Sequence, residues 1–436
     1  DPAAPAAALL SHTALIGALR KTLSQRLEEL GLNKIYDEVD LPLCPVLAEM
    51  EEIGVLVDRG ALVEFGEMLS QGIDKVQATI YELAGEEFNI NSTQQLGRIL
   101  FDQLGLPPVK KTKTGYSTNA EVLDKLRGKH PIIEQILDYR QLTKLKSTYV
   151  DGLGKVIADD GRIHTCFQNT VTATGRLSSA EPNLQNIPIR TPLGAELRKM
   201  FVAGPGMVLV DADYSQIELR LLSCMAGDEK MIEAFRSGRD FHTVTAAQVF
   251  GVEPDLVTPE MRRSAKAVNF GIVYGISAFG LSEDLSISRK EALEYINQYF
   301  ETYPGVKAFL DGLVADAREK GFVSTMFGRR RPVPELGSAN FMQRSFGERV
   351  AMNSPIQGTA ADIIKIAMIR VDRRLREEGL ESRLILQVHD ELLVETAVRE
   401  KAQVERILSE EMSRAAALKV PLEIDMHDGK NWFEAK

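Results

Sequence analysis

Two apolar runs that end in acidic residues constrain the fold of this chain more than any other feature. Residues 207–210 read MVLV and lead to Asp213, whereas residues 384–388 read LILQV and lead to Asp390 and Glu391. Short apolar runs bounded by polar turn residues are typical of buried strands. The sequence therefore predicts two core strands that lie roughly 175 residues apart in the chain and meet in one sheet.

Helical spacing of apolar residues fills most of the chain outside these strands. Apolar residues recur every three to four positions, and glycine, proline or asparagine marks the ends of the segments. The helical stretch at 219–315 lies between the two strands, so we expect an α+β core into which a helical unit is inserted. The other predicted elements are helices at 13–32, 46–82 (broken near Gly54), 94–104, 120–152, 360–378 and 399–415, and a strand at 392–396.

The charge of the chain is acidic overall but unevenly distributed. Its 436 residues suggest about three domains. The net charge of −10 argues against a nucleic-acid partner, because phosphates attract lysine and arginine. Residues 110–146, however, hold nine basic and four acidic residues, and 329–331 are three consecutive arginines. The chain can therefore present a basic side to a polyanion despite the acidic total.

The cysteines and the apolar runs indicate in which cellular compartment the protein is expected. Cys44, Cys166 and Cys224 are too far apart for a zinc cluster or a disulfide framework, so we expect small buried groups and a reducing, cytoplasmic compartment. No run reaches the ~18 apolar residues of a membrane span, which predicts no membrane partner. The chain opens with Asp1 and a short Ala/Pro tract, which indicates a fragment or a processed product.

The acids that follow the two strands are candidate metal ligands. Aspartate oxygens brought together from neighbouring strand ends suit two Mg²⁺ ions. Two such ions, about 3.5–4 Å apart, stabilise both the attacking and the leaving oxygen of a phosphoryl transfer. Aspartate at a strand end is also ordinary turn chemistry, which is the commoner explanation for either acidic cluster alone. The metal hypothesis therefore needs support from another part of the chain.

That support comes from a helical stripe within residues 261–275, MRRSAKAVNFGIVYG. Arg262, Lys266, Phe270 and Tyr274 recur every four residues and therefore share one broad helix face. Two cations followed by two aromatics suit a triphosphate at one end and a stacked base at the other, and Lys266 is a candidate proton donor to departing pyrophosphate. The alternative is a solvated basic face that leads into a buried aromatic end. A neighbouring acidic metal site favours the triphosphate.

Several long motifs resemble those of one known family. DYSQIELR at 213–220, RRSAKAVNFGIVYG at 262–275 and QVHDE at 387–391 are similar to motifs A, B and C of family A DNA polymerases, the bacterial DNA polymerase I type. The resemblance extends over roughly residues 42–436. It also includes TATGRLSS at 172–179, PNLQNIP at 182–188, ERVAMN at 348–353 and QGTAAD at 357–362.

The resemblance implies a right-hand α+β architecture with an antiparallel-sheet palm, a helical thumb and helical fingers. Motifs A and C would lie in the palm and motif B in the fingers. The implied domains are a remnant of an exonuclease-like domain at 1–42, the thumb at 43–155, the first part of the palm at 156–224, the fingers at 225–344 and the second part of the palm at 345–436.

The resemblance also assigns residues to metal and nucleotide sites. Asp213 and Asp390 would hold two Mg²⁺ ions as cofactors, with Glu391 as an auxiliary acid and Lys266 as a catalytic residue. Asp211 departs from the small or apolar residue expected two positions before Asp213, and we expect a surface or supporting acid there, with a direct metal role as the lesser alternative. The residues implied for nucleotide binding are Arg262, Lys266, Phe270, Tyr274, Glu218, Gln216 and His242.

One nucleotide-site residue would decide which sugar is accepted. Glu218 falls on the motif A position that resembles a steric gate, which crowds a 2′-hydroxyl and so favours deoxynucleotides. Without the motif it would be an ordinary acid on a helix surface.

DNA contacts follow from the same resemblance. Arginine, asparagine and glutamine suit the minor groove, where every base pair offers acceptors in similar places. The basic loop 110–113 and the lysines of 144–146 would hold phosphates on the thumb, although each taken singly is more often a solvated lysine. The implied DNA-binding residues are Arg176, Asn183, Gln185, Asn186, Arg349, Asn353, Gln357, His389, Lys144 and Lys146.

The resemblance therefore implies a monomeric enzyme that adds deoxynucleotides from their triphosphates to a primer on template DNA. The residues before 42 hold no Asp-x-Glu motif, so we expect no 3′→5′ proofreading. Two alternatives stay open. A single-subunit RNA polymerase shares the palm plan, although Glu218 argues against it. A catalytically inactive DNA-binding or clamp-like protein is the other, and the presence of both Asp213 and Asp390 argues against that.

Overall fold

The structure is a computed structural model that describes residues 3–112, 115–189 and 191–436. The first segment is helical, and α3 turns Leu43, Val46, Leu47 and Met50 into the core before Gly54, at φ 66°, ends the helix. Only glycine adopts this backbone conformation at little cost. Its elements are α1 (Ala3–Glu29), α2 (Asn33–Ile35), a π-helical turn (Tyr36–Asp40) and α3 (Leu41–Ile53).

The following unit, up to residue 154, is mainly helical and has a hydrophobic core of its own. The Asp58 and Asn119 side chains each accept a backbone hydrogen bond at a helix start, as N-cap residues do. Ile80, Leu123 and Ile133 are fully buried in this separate core. Its elements are β1 (Val55–Leu56), α4 (Arg59–Ala84), α5 (Thr93–Gly97), a π-helical turn (Arg98–Gln103), β2 (Lys111–Thr112), β3 (Gly115–Tyr116), α6 (Ala120–Lys125), α7 (Pro131–Lys144), a π-helical turn (Leu145–Val150) and α8 (Asp151–Gly154).

Short strands and turns precede the first long strand, β7. Leu209, Val210 and Ala212 of β7 are fully buried, as the apolar run predicts for a core strand. The elements are β4 (Arg162–Ile163), β5 (Cys166–Gln168), β6 (Ser178–Ala180), a 3-10 turn (Leu184–Asn186), α9 (Pro192–Glu196), a 3-10 turn (Leu197–Met200), β7 (Met207–Tyr214) and α10 (Ile217–Ala226).

The predicted inserted unit is almost entirely helical, and polar residues cap its helices. Thr258 accepts a hydrogen bond from the Met261 amide before Pro259 opens α13, and Ser288 forms a capping box with Glu291 at α15. The elements are α11 (Glu229–Arg236), α12 (Phe241–Phe250), a 3-10 turn (Pro254–Leu256), α13 (Pro259–Val273), α14 (Ala278–Leu285), α15 (Arg289–Thr302), α16 (Pro304–Lys320), β8 (Phe322–Ser324), β9 (Arg330–Pro332) and a 3-10 turn (Pro334–Gly337).

The last segment returns to the sheet after a 37-residue helix, α17. Asn340 caps this helix, which begins well before the predicted 360–378. The prediction began too late because Pro355 interrupts the pattern and the residues before it form no continuous apolar stripe. The elements are α17 (Phe341–Glu377), β10 (Arg383–Val388), β11 (Glu391–Ala397), a 3-10 turn (Val398–Glu400), α18 (Lys401–Ser413) and β12 (Ile424–Gly429).

Four antiparallel strands form the central sheet in the order β10-β11-β7-β12. The predicted strands at 207–210 and 384–388 therefore share one sheet, but they are not neighbours, because β11 lies between them. Asp213 in β7 pairs with Glu391 in β11 and with Asp425 in β12. The predicted α+β class and antiparallel sheet are confirmed. The prediction missed β12, which has a half-buried alternating pattern rather than an apolar run.

A buried charge network ties the N-terminal segment to the inserted unit and to α17. Arg329 donates to both carboxylate oxygens of Asp40, each at 2.8 Å, and to Asp362 at 2.7 Å. Lys365, fully buried, lies 3.2 Å from Asp40. Asp362 is also inaccessible to solvent. Arg329, the first residue of the arginine tract at 329–331, thus forms internal ion pairs and is not available to bind a ligand.

The cysteines are free, as predicted, but two of them are not buried. Cys44 and Cys166 are exposed and Cys224 is half-buried, so the expectation of small buried groups is wrong for the first two. Cys44 lies next to the buried positions of α3 and faces outward, with its thiol 3.3 Å from the Asp40 carbonyl. Within the described parts of the chain, no helix has the length and apolarity needed to cross a membrane.

Candidate active site

The acids of β7 and β11 meet at one end of the central sheet. Asp213 lies directly opposite Glu391, the first residue of β11, and cross-strand partners of this kind have neighbouring side chains. The Tyr214 amide donates a hydrogen bond to the Asp390 carbonyl at 3.1 Å. His389, at φ 51°, forms the turn that leads from β10 into β11. The structure therefore brings Asp213, Asp390 and Glu391 together from distant parts of the chain.

Asp211 joins these three residues to form what we term the acid cluster (Asp211, Asp213, Asp390 and Glu391). It lies on the same face of β7 as Asp213, because side chains two residues apart in a strand point the same way. It is 2% exposed, and neither of its carboxylate oxygens has a hydrogen-bond partner among the described residues. Burial, followed by the nearby Glu391 carboxylate, raises the pKa of Asp211 to about 8. Of the two expectations for this residue, a surface acid is wrong, because Asp211 is buried, whereas a supporting acid stays a prediction.

The charged form of Asp390 is also disfavoured by its surroundings. Burial raises the pKa of Asp390 to about 7; Arg176 opposes this shift, and Glu218 and Asp213 add to it. A carboxylate in this state gains from any nearby positive charge.

Two cationic side chains approach the cluster. Lys436 Nζ lies 3.2 Å from Asp213 Oδ2 and also donates to Glu391 Oε2. The guanidinium of Arg198, almost fully buried, lies 3.7 Å from Glu391 Oε1 and packs 4.0 Å above the Trp432 ring. The cluster therefore holds more acidic groups than cations.

The donor chemistry of the acid cluster fits a hard divalent cation. Carboxylate oxygens are the ligands that Mg²⁺ prefers. Both Asp211 oxygens and Glu391 Oε1 are buried and lack hydrogen-bond partners in the described part of the protein, and the Lys436 ammonium shows that a cation is accepted between Asp213 and Glu391. Among residues 3–112, 115–189 and 191–436, no three acidic, histidine or cysteine side chains already form a ligand set. Metal binding would therefore require side-chain movement.

Helix α13 carries the predicted stripe of cations and aromatics. Arg262 and Lys266 are exposed, Phe270 is half-buried, and Tyr274 follows the last residue of the helix. Lys266, Phe270 and Tyr274 line an open cleft of about 640 Å³ together with Arg349 of α17. The structure thus brings one side of the stripe together with a predicted DNA-binding residue.

Arg262 already has an anionic partner, which the sequence did not predict. Its guanidinium donates to Asp240 at 2.7 and 3.1 Å. Asp240 is also the N-cap of α12, where it accepts hydrogen bonds from the amide and hydroxyl of Thr243. Burial acts to raise the pKa of Asp240, but the hydrogen bonds from Arg262 and Thr243 outweigh it and hold that pKa below its usual range. A ligand that binds Arg262 must compete with this carboxylate.

His242 lies beneath the stripe as a neutral residue. It is 3% exposed, and its ring centroid is 5.6 Å from that of Phe270. Burial lowers the pKa of His242 to about 4; Asp240 opposes the shift, and Lys266 and Arg262 add to it. The Asn269 amide nitrogen lies 3.0 Å from His242 Nδ1, so Nδ1 accepts and Nε2 carries the ring proton. In this arrangement His242 is buried against Asn269 and Phe270.

Glu218 is held rigidly between the stripe and the acid cluster. It is 5% exposed, and Arg176 donates to its carboxylate at 2.6 Å. Burial, followed by the Glu218 carboxylate, raises the pKa of Tyr274 to about 12. Gln216, at φ 53°, precedes α10, and its side-chain oxygen has no hydrogen-bond partner among the described residues. The Glu218 carboxylate is thus held by Arg176 and lies close to Tyr274.

Several predicted DNA-binding residues lie next to the acid cluster. Arg176, Gln185 and His389 line one small cavity of about 30 Å³ together with Asp390. Gln185 Nε2 donates to the backbone and side-chain oxygens of Gln387, both at 3.2 Å.

The remaining predicted contacts form two groups. Arg349, Asn353 and Gln357 are spaced by four residues and share one face of α17; Asn353 Nδ2 donates to the Val273 carbonyl at 3.2 Å, which connects α17 to α13. Asn183 and Asn186 belong to the 3-10 turn after β6 and are exposed.

The predicted phosphate-binding lysines lie apart from the acid cluster. Lys144 is exposed at the end of α7, and Lys146 pairs with Asp151 at 2.9 Å. Lys110 is exposed in the loop before β2, whereas Lys113 lies outside the described residues. The structure places these lysines on the unit that has its own core.

Sequence reasoning missed three charged residues of the site: Asp240, Arg198 and Lys436. Asp240 has a recognisable N-cap signature, but no pattern pairs it with an arginine 22 positions later. Arg198 and Lys436 lie in segments without a charge pattern, and tertiary packing of the turn at 197–200 and of the segment after β12 brings them to the acids.

Comparison with known proteins identifies the class of this fold and site. The solved structure of the POL domain of Pol1 from M. smegmatis, in complex with DNA primer-template and dNTP, superposes with a TM-score of 0.92 at 46% identity and covers 96% of this chain and 74% of that chain. The chain therefore has the right-hand polymerase fold, and the implied architecture is confirmed.

Sequence comparison then identifies the family. The model of DNA polymerase family A matches residues 59–434. The chain is 53% identical to DNA polymerase I of Caldicellulosiruptor bescii over 422 residues, which are 96% of this chain and 50% of that protein. It is 53% identical to DNA polymerase I of Geobacillus stearothermophilus over 430 residues, 98% of this chain and 49% of that protein. The chain belongs to DNA polymerase family A and spans about half the length of these relatives.

Proposed function

We propose that this chain catalyses template-directed addition of deoxynucleotides to the 3′ end of a DNA primer and releases pyrophosphate. The observation that carries the proposal is the meeting of Asp213, Asp390 and Glu391 at the sheet end. The cationic and aromatic stripe of α13 adds support, because it lines a cleft shared with α17. Membership of DNA polymerase family A and the complex formed by the solved relative from M. smegmatis point to the same reaction.

Arg262, Lys266 and His242 would bind the triphosphate of the incoming nucleotide. Arg262 and Lys266 are exposed cations one helical turn apart, and His242 offers a neutral Nε2 donor beside them. Lys266 would also protonate the leaving pyrophosphate. Phe270 would pack on the sugar and Tyr274 on the templating side, since both line the same cleft as Lys266.

Asp213 and Asp390 would hold two Mg²⁺ ions, with Glu391 as a nearby auxiliary acid. When bound, the ions would supply positive charge to the attacking and leaving oxygens. The carboxylates of this chain would position that charge, and the raised pKa of Asp390 explains why a cation would be stabilised there.

The polar residues next to the cluster would hold the primer-template. Arg176, Gln185 and His389 share a cavity with Asp390, and Arg349, Asn353 and Gln357 share one face of α17. Amide and guanidinium donors can contact the similar minor-groove acceptors of all base pairs, which allows binding to any sequence. Asn183 and Asn186 would add contacts nearby, and Lys144 and Lys146 would hold phosphates farther away. Gln216 would instead contact the incoming nucleotide.

Glu218 would exclude ribonucleotides. Its carboxylate is buried and fixed by Arg176, so it would not move away from a 2′-hydroxyl at little cost. This feature favours a DNA polymerase over the RNA polymerase alternative.

The remaining parts of the proposal concern organisation and compartment. We retain the boundaries at 42, 155, 224 and 344 for the four domains, a monomeric state, and absence of 3′→5′ editing by this chain. Three free thiols fit a reducing, cytoplasmic compartment.

Extension of a labelled primer on template DNA with Mg²⁺ tests the proposal. Wild-type protein should extend with deoxynucleotides, fail with ribonucleotides, and leave the primer uncut when nucleotides are omitted. Asp213→Ala and Asp390→Ala should abolish extension, because each removes a proposed metal ligand, and should bind primer-template almost as wild type does in fluorescence anisotropy.

The control is Asp428→Asn, which changes a carboxylate of the same sheet that pairs with Lys401 at 2.6 Å. This variant should extend like wild type. An extending Asp213→Ala protein, or a wild-type protein without extension activity, would refute the proposed function.

A further inference from the structure

Lys436 supplies a positive charge to the acid cluster. Its Nζ lies 3.2 Å from Asp213 Oδ2 and hydrogen-bonds to Glu391 Oε2. The Lys436 side chain is 26% exposed, whereas that of Glu391 is 7% exposed. One ammonium group thus bridges two carboxylates from neighbouring strands, at a point where the cluster is partly shielded from water.

The core fixes the backbone next to Lys436. Trp432 and Ala435 are fully buried. The Trp432 amide donates to the Phe201 carbonyl at 2.9 Å, and the Ala435 amide donates to the Asn431 carbonyl at 3.1 Å. The contact of the ammonium with the carboxylates is therefore part of the packed structure.

The charges around Lys436 explain why the contact forms. Burial acts against the ammonium charge, and the Asp213 and Glu391 carboxylates that it contacts compensate for the lost hydration. The acid cluster has four carboxyl groups, and Arg198 approaches only one of them within ion-pair distance. Both Asp211 oxygens and Glu391 Oε1 stay without hydrogen-bond partners in the described part of the chain. The four carboxyl groups thus have two cations, Arg198 and Lys436, and both Asp211 oxygens stay without a hydrogen bond or an ion pair among the described residues.

We propose that Lys436 is a resident counter-cation of the acid cluster, which holds Asp213 and Glu391 until a divalent cation displaces it. The inference rests on the proposed metal role of Asp213. Lys436 is then a positioning residue that lowers the affinity of the cluster for divalent cations and limits carboxylate repulsion when no metal is bound.

Competition between the Lys436 ammonium and a divalent cation predicts how substitution of Lys436 changes metal affinity. A divalent cation that takes Asp213 Oδ2 must break the contact of the ammonium with that oxygen. The Lys436 side chain is already a quarter exposed, so the ammonium can move into solvent. Removing the lysine charge removes that competitor and leaves the carboxylates in place. Lys436→Gln should therefore bind the metal more tightly, whereas Lys436→Arg, which retains the charge, should not.

Direct Mn²⁺ titration without DNA or nucleotide measures this affinity, with free Mn²⁺ followed by electron paramagnetic resonance. Lys436→Gln should lower the dissociation constant by about three- to fivefold, because a partly exposed ion pair contributes up to about 1 kcal/mol and 1.4 kcal/mol corresponds to tenfold. The same variant should have a lower melting temperature in a chelator, and added Mg²⁺ should restore more of it than in wild type.

The matched control is Lys199→Gln. Lys199 is a partly exposed lysine that packs 4.7 Å above the Phe433 ring on the same surface, but its ion-pair partner is Glu196. This control should leave the dissociation constant unchanged. A Lys436→Gln constant within twofold of the wild-type value would overturn the inference.

A measurement on wild-type protein covers the case in which Lys436→Gln does not fold. Amine acetylation followed by mass spectrometry should find Lys436 protected in a chelator and several-fold more reactive with Mg²⁺, with Lys199 unchanged. Equal Lys436 reactivity in both conditions would overturn the inference.

The two proposals fail separately. Wild-type protein that binds Mn²⁺ in competition with Lys436 but does not extend primers would refute only the proposed function. If the wild-type protein extends primers but Lys436→Gln has the wild-type dissociation constant for Mn²⁺, only the proposed displacement of Lys436 by a divalent cation is refuted.

Discussion

The contact between Arg262 and Asp240 makes a quantitative prediction about nucleotide affinity. Asp240→Asn removes the carboxylate charge that occupies Arg262 but retains the N-cap of α12, because asparagine caps helices about as well as aspartate. An incoming triphosphate would then meet an arginine without an anionic competitor. We expect tighter binding of the nucleotide and an unchanged fold.

The size of the effect follows from the exposure of the pair. The side chains of Arg262 and Asp240 are 47% and 34% exposed, and their contact has two hydrogen bonds at 2.7 and 3.1 Å. Pairs at such exposure contribute about 0.5–1 kcal/mol. At 1.4 kcal/mol per tenfold, Asp240→Asn should lower the dissociation constant of the nucleotide about two- to fivefold.

Single-turnover extension over a range of nucleotide concentrations measures this constant separately from the rate of chemistry. The effect should shrink at high salt, which screens exposed charges. Glu260→Gln is the matched control, because it neutralises an acid of α13 whose ion-pair partner is Arg263. The reasoning would be refuted if Asp240→Asn weakened nucleotide binding, or if Glu260→Gln gave an equal gain.

Two further predictions concern stability, measured by urea unfolding. Arg329→Met strips a fully buried Asp362 carboxylate of its cation and should cost about 3 kcal/mol, whereas Arg263→Met at an exposed pair should cost less than about 0.5 kcal/mol; a loss below about 1 kcal/mol for Arg329→Met would contradict the buried-network argument. Because the pKa of His242 falls from its usual 6.5 to about 4 in the fold, the unfolded chain takes up this proton first as pH falls, and the contribution of His242 should lower stability by up to about 3 kcal/mol between about pH 6.5 and pH 4. The raised pKa values of Asp211 and Asp390 act in the opposite direction, so the measure is the difference between the pH profiles of wild type and His242→Gln. His242→Gln should lose most of this dependence, and an unchanged pH profile in that variant would show that other groups cause it.

The central fold was predictable from the sequence where the physical signal is local. The apolar run before Asp213 and the two runs around Asp390 have the length and composition of buried strands, and they became β7, β10 and β11. The four-residue spacing of the motif B stripe likewise predicted one face of α13.

The order of the strands was not predictable in this way. Nothing local indicates that β11 separates β10 from β7, or that β12 occupies the other side of β7. The burial of Asp211 likewise depends on what packs on the face of the sheet, which the sequence around it does not indicate. The sequence around a polar residue does not indicate which elements will pack against its side chain.

Charge pairing between distant residues was the second limit. The sequence identified Arg262 as a free cation, yet Asp240 neutralises it, and it identified three arginines at 329–331 as a basic surface, yet Arg329 is internal. Ion pairs form between residues that are close in the folded structure, whereas sequence patterns detect only neighbours within a few helical turns. The meeting of Asp213, Asp390 and Glu391 was predicted because the strand ends and the motif resemblance supplied the long-range pairing that composition lacks, whereas the burial of Asp211 beside them was not.

The position of β7 in the middle of the sheet has a consequence for synthesis of the chain on the ribosome. β7 ends at Tyr214, and its first sheet partner begins at Glu391, so the whole inserted unit must be translated before either side of β7 is hydrogen-bonded. At roughly 5–20 residues per second, this interval lasts about 9–35 s. During that time an apolar strand has two open edges, which makes nascent chains prone to aggregate, so protection by a chaperone should matter most in that interval.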